Sequence, residues 1–160
     1  MKRIYFLLMV LLVLIYCACD VFAFQGEPKD FRGIAWGTNI NELSGMINIR
    51  YFDGGSMNCE RKNDPLRIGN ADIKEITYAF YNNMFGALVI RFDGYNNFIE
   101  LKTVLFNNYG PGDADTERLS FPSFKWSGEN IIITIDCDKK SGRGTLIYNY
   151  KPLAKKRDGL

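Results

Sequence analysis

The stretch from Glu75 to Gly110 constrains the fold most, because the spacing of its apolar residues changes period within it. Two runs rich in aromatic and β-branched residues, Glu75-Ile-Thr-Tyr-Ala-Phe-Tyr81 and Met84-Phe-Gly-Ala-Leu-Val-Ile-Arg-Phe92, are separated only by Asn82-Asn83. Asparagine tolerates the left-handed backbone of a tight turn, so the pair predicts a β-hairpin. A two-residue turn sets Tyr81 opposite Met84, Phe80 opposite Phe85, Tyr78 opposite Ala87 and Ile76 opposite Val89. In that register both faces carry apolar groups. Ile76, Tyr78, Phe80, Phe85 and Val89 lie on one, and Ala79, Tyr81, Met84, Leu88, Ile90 and Phe92 on the other, which places the hairpin inside a larger sheet.

After Asp93-Gly94 the period becomes about 3.6, with Phe98, Leu101 and Leu105 recurring on one side of a helix. Asn96 or Asn97 is its expected cap, and Gly110-Pro111 its end. Upstream, Phe31–Trp36 reads as a short strand, and Thr38 or Asn39 caps a short helix that Gly45 ends. Met46–Phe52 and Met57–Lys62 are two further strands around the Asp53-Gly54-Gly55-Ser56 turn. Leu66–Ala71 reads equally as an edge strand or a loop. Downstream, Phe121–Trp126, Asn130–Cys137 and Thr145–Tyr150 predict an antiparallel meander. The expectation is an α+β domain with an antiparallel sheet of about six to eight strands, one longer helix and one short helix packed on it.

Met1-Lys2-Arg3 followed by the uncharged apolar run Ile4–Ala18 is the pattern of an export signal, and Val21-Phe22-Ala23 places cleavage after Ala23. Lipidation of Cys19 is the alternative, although Tyr16 and Cys17 fit a lipoprotein signal poorly. Residues 24–160 then form one domain with a flexible basic tail from about Pro152, and the only membrane contact is through the signal or a lipid on Cys19. Of the four cysteines, Cys59 and Cys137 stay in the mature chain, and an oxidising compartment makes them a disulfide candidate, with two unpaired buried thiols as the other reading. The formal net charge of only +2 gives no reason to expect a nucleic-acid partner.

The chain contains no histidine. That excludes Ser-His-Asp and Cys-His nucleophilic systems, histidine bases and histidine-ligated metals. Dinucleotide, P-loop and Cys-x-x-Cys motifs are missing from the mature chain, so no catalytic or cofactor-binding residue is assigned, and no cofactor. Asp113, Asp115 and Glu117 alternate like the start of a calcium loop, but Arg118 and Phe124 occupy the positions where such a loop needs Gly and Glu, so no metal ligand is assigned. A carboxylate-only hydrolase survives this filter. The strand aromatics Tyr78, Phe80, Tyr81 and Phe85 are the residues to examine for a ligand-binding face, with core packing as the ordinary explanation.

Phe31-Arg-Gly-Ile-Ala-Trp-Gly-Thr38, with Ile76–Phe92, Phe98–Tyr109 and Leu146–Pro152 behind it, resembles a family of exported proteins of Gram-negative bacteria to which no activity is attached. The resemblance implies a periplasmic or envelope location and brings no ligand or catalytic residue. At the level of fold alone, the opening is also similar to that of small outer-membrane assembly lipoproteins. Together these readings predict an exported binding or interaction module for an envelope protein or a hydrophobic ligand. The alternative is a carboxylate-dependent hydrolase acting on a cell-wall or sugar substrate.

Overall fold

A computed structural model describes residues 24, 26–115 and 120–157; the signal segment, Cys19 and Glu117 lie outside them. In chain order the strands are β1 (Asp30–Phe31), β2 (Ile34–Ala35), β3 (Met46–Phe52), β4 (Ser56–Arg61), β5 (Arg67–Ile68), β6 (Ala71–Asp72), β7 (Glu75–Tyr81) and β8 (Met84–Asp93). Helix α1 (Tyr95–Tyr109) follows, then β9 (Asp113–Asp115), β10 (Ser123–Ser127), β11 (Ile131–Cys137), β12 (Arg143–Tyr150) and helix α2 (Lys151–Arg157). Eight strands form one antiparallel sheet in the order β3-β4-β7-β8-β12-β11-β10-β9, and β1-β2 and β5-β6 are small separate ribbons. The fold is the α+β arrangement the residue pattern predicts.

The central hairpin turns at Asn82 (φ 49°) and Asn83 (φ 67°), and Tyr81–Met84 and Phe80–Phe85 pair as expected. Beyond them the register slips by one residue: Ala79 faces Ala87, Tyr78 faces Leu88 and Ile76 faces Ile90. Gly86 is the extra residue. A Cβ placed there would lie 2.3 and 2.7 Å from ring carbons of Tyr81, so only glycine fits the bulge. Because side chains alternate with period two, the slip turns the rest of β8 over. Leu88, Ile90 and Phe92 join Ile76, Tyr78, Phe80 and Phe85 on one buried face, which corrects the two-sided pattern drawn from an unbroken register. The opposite face keeps Glu75, Thr77, Val89 and Arg91.

Helix α1 covers the buried face with Phe98, Leu101 and Leu105, each 1 % exposed or less. Burying each side chain contributes roughly 1.5–3 kcal/mol. The helix begins at Tyr95 after Gly94, so Asn97 lies inside the first turn. Its amide donates to the Asp93 carbonyl and accepts from the Asp72 amide, fastening the helix start to β6. Gly110 closes the helix, its N–H donating to the Phe106 carbonyl.

Phe31–Trp36 is a tight hairpin rather than one strand, because Arg32 and Gly33 both take positive φ (51° and 80°). This folds Phe31 against Tyr78 and Tyr148, while Trp36 stacks on Phe85 at 4.7 Å. Asn39 caps a short 3-10 turn, Ile40–Glu42, by accepting from the Asn41 amide. Leu66–Ala71 folds into the β5-β6 ribbon. Residues from Lys151 to Arg157 form helix α2, packed on β8 and β12, where the sequence predicts a flexible tail.

Cys59 and Cys137 are buried free thiols. They lie on β4 and β11, four strand spacings apart in the sheet order, which is roughly 19 Å at ~4.8 Å per strand. A disulfide needs Cα atoms within about 7 Å, so this fold cannot join them. Burial, reinforced by Glu60, pushes the Cys59 thiol up to about 11, and burial beside Asp136 and Asp138 raises Cys137.

Candidate functional site

The aromatic residues proposed for a ligand face do not form one. Tyr78, Phe80 and Phe85 are completely buried, packed on one another and against Phe31 and Trp36, and Tyr81 is half-buried across Gly86. The Tyr78 hydroxyl donates to Asp64 Oδ2 at 2.7 Å, and Arg32 clamps Asp64 Oδ1 at 2.6 Å. Burial and then the Asp64 carboxylate raise the Tyr78 pKa, so the group is a neutral donor in a closed network. Its partners are all within the chain.

The exposed chemistry lies at one end of the sheet instead. Strand β3 is an edge, and from Ile47 to Phe52 every residue is exposed, including Ile49 (41 %), Tyr51 (75 %) and Phe52 (54 %). A bulge at Asn48, whose φ is 55°, shifts its pairing with β4, after which Arg50, Tyr51 and Phe52 pair regularly with Asn58, Met57 and Ser56. Among the described residues no strand pairs with the outer side of β3.

Each face of β3 borders a depression. On the core side, Met46, Ile49 and Tyr51 meet Ile40, Leu43 and Met57 around a mostly apolar groove of about 320 Å³. On the opposite side, Asn48, Arg50 and Phe52 of β3 continue onto Asn58 and Glu60 of β4, Glu75 and Thr77 of β7, and Val89 and Arg91 of β8, around about 220 Å³. Alternate residues of four neighbouring strands supply these groups, so strand pairing alone sets their common orientation.

Much of this second groove is internally braced. Arg91 Nη1 donates to Glu75 Oε2 at 2.8 Å, Thr77 Oγ1 to Glu75 Oε1 at 3.0 Å, and Asn48 Nδ2 to Glu60 Oε2 at 3.0 Å. The Arg91 hydrogen bond, opposed by partial burial and helped by Thr77, holds the Glu75 carboxyl below its usual range. Among the described residues the Asn58 amide and the Arg50 guanidinium make no side-chain hydrogen bond. No cluster of three or more potential metal-ligating side chains occurs among the described residues, and no described helix is long and apolar enough to cross a membrane.

No known protein family, curated protein or solved structure matches this chain. The site must be read from its own geometry. Sequence reasoning placed β3 as a strand but missed its exposure, because Met46-Ile-Asn-Ile-Arg-Tyr-Phe52 has the apolar content of an interior strand. The available signal was the pair Asn48 and Arg50, polar residues two apart in that run.

Proposed function

We propose that this chain is an exported, non-enzymatic binding module that takes an extended segment of an envelope partner onto the β3 edge. The single observation behind this reading is a seven-residue edge strand whose side chains are apolar and exposed over most of its length. Strand addition fits it: main-chain hydrogen bonds supply affinity, and alternate side chains of the incoming segment enter the depression on the core side. The bulge at Asn48 leaves Arg50–Phe52 as the longest regularly paired stretch of β3, which suits a short segment. A photo-crosslinking side chain at position 49, in cells exporting the protein, is expected to give a discrete adduct that the Tyr51→Lys variant loses. No adduct, or the same adduct from position 114 on the opposite edge, defeats the reading.

A second reading, the carboxylate-dependent hydrolase, gains one observation: Glu60 and Glu75 line the same groove. A glycosidase needs one of its two carboxyls protonated at the start of the reaction. Glu75 is unsuited to that role because Arg91 holds it ionised. Hydrolysis of cell-wall glycan that is lost in Glu75→Gln and in Glu60→Gln alike would restore the enzymatic reading.

A further inference from the structure

We infer that the polar groove across β3, β4, β7 and β8 is a binding site for one ring of a neutral saccharide. The site does not depend on strand addition, since its polar groups lie on the sheet face and not in the outer backbone ladder. Three features select this ligand class.

Charge comes first. Arg50 and Arg91 are matched by Glu60 and Glu75, so the groove has no excess sign with which to hold an anion or a cation. Hydrogen-bonding capacity comes second. The groove offers the Asn58 amide and the Arg50 guanidinium, neither of which makes a side-chain hydrogen bond among the described residues, and the second carboxylate oxygen of Glu60, whose first oxygen takes the Asn48 amide. Amides, carboxylates and guanidiniums are planar groups that address two neighbouring atoms at once, as vicinal hydroxyls require. A hydrocarbon ligand would strip water from these groups and return no hydrogen bond. Third, Phe52 stands 54 % exposed at the margin, an apolar plate on which the C–H face of a sugar ring can rest while its hydroxyls reach the polar wall.

Size sets the scale of the ligand. A groove of about 220 Å³ lies below the 300–1,000 Å³ usual for drug-sized ligands, so it accommodates a single ring, with the rest of a chain in solvent. The existing bonds from Arg91 and Thr77 to Glu75 fix the floor before a ligand arrives, and the bond from Asn48 to Glu60 fixes one wall.

The test is titration of the isotope-labelled protein with maltotetraose, cellotetraose and chitotetraose, read by backbone amide shifts. At least one is expected to move amides of Asn48, Asn58 and Thr77 with millimolar affinity that is unchanged between low and high salt. Phe52→Ala and Asn58→Ala are each expected to weaken it at least tenfold while leaving the melting temperature unchanged, because both side chains sit on the solvent side of the sheet. No shifts at these residues with any of the three sugars up to about 20 mM overturns the proposal, as does unaltered binding in both variants. Shifts there with succinate or inorganic phosphate that vanish with salt, and none with the sugars, reassign the groove to anions.

Discussion

The two edges of the sheet are built in opposite ways. β9 is three residues long, reads Asp-Ala-Asp, and offers roughly 10 Å of ladder at ~3.3 Å per residue. It also rests on a packed corner: the Trp126 indole N–H donates to the Gly110 carbonyl at 2.8 Å, and Phe106 meets Trp126 and Phe124 edge-on at 5.7 and 5.3 Å. A Cβ on Gly112 would fall 2.6 Å from the Trp126 ring, so the chain leading into β9 lies directly on the indole. β3 is more than twice as long and mostly apolar, and among the described residues nothing covers Tyr51 and Phe52. Short, charged edges are how soluble sheets avoid joining one another. The molecule applies that protection at β9 and withholds it at β3, and this contrast is what the strand-addition proposal rests on.

Equivalent truncations at the two ends give the largest expected contrast. Trp126→Ala removes a side chain that is 2 % exposed and should cost roughly 3–5 kcal/mol, whereas Tyr51→Ala should stay within about 0.5 kcal/mol. Urea unfolding measures both, and similar losses would erase the distinction between a packed edge and a free one. A smaller effect follows from Cys59, one strand in from the open edge. Its folded pKa of about 11 lies above the ordinary 9.0, so the fold favours the neutral thiol. The stability this adds is complete below pH 9 and lost as pH rises through 11. At about 1.4 kcal/mol per unit that is roughly 3 kcal/mol. Comparing the alkaline unfolding of wild type and Cys59→Ala should show a shallower decline in the variant, and parallel curves would mean the β4 thiol is already reached by solvent at the open edge. Gly86→Ala should cost about 1–3 kcal/mol through the clash with Tyr81. A neutral result in thermal melts would show that the bulge, and with it the one-sided core, does not depend on glycine.

Local chemistry was legible in the residues and long-range geometry was not. Asn82-Asn83 specifies the turn, Phe98-Leu101-Leu105 the helix stripe and Gly110 its end, because each depends on neighbours within a few positions. The slip at Gly86 depends on a ring lying across from it, so an unbroken register was the natural reading and assigned Leu88, Ile90 and Phe92 to the wrong face. The disulfide expectation failed for a related reason: Cys59 and Cys137 both sit on strands, but only the strand order shows four spacings between them. The polar groove was invisible because it is assembled from alternate positions of four strands, none of which has an unusual pattern alone. Aromatic content pointed toward Tyr78, Phe80 and Phe85, which fill the core, while Tyr51 and Phe52, which reach solvent, did not stand out.

The seam between β8 and β12 carries a consequence for how the sheet is made. β7 and β8 are joined by a two-residue turn, and β9 to β12 follow one another as neighbours, but Phe92 meets Gly144 only after α1 and the entire meander have been laid down. Each half of the sheet is held by pairing between strands close in sequence, and the β8–β12 pairing is the long-range contact that unites them, with α1 carrying the chain to the far side. Closing a contact of such long sequence separation is slow relative to forming hairpins. Until it happens, the buried faces of both halves stand in water, and that is the interval in which this chain is most vulnerable to joining its neighbours.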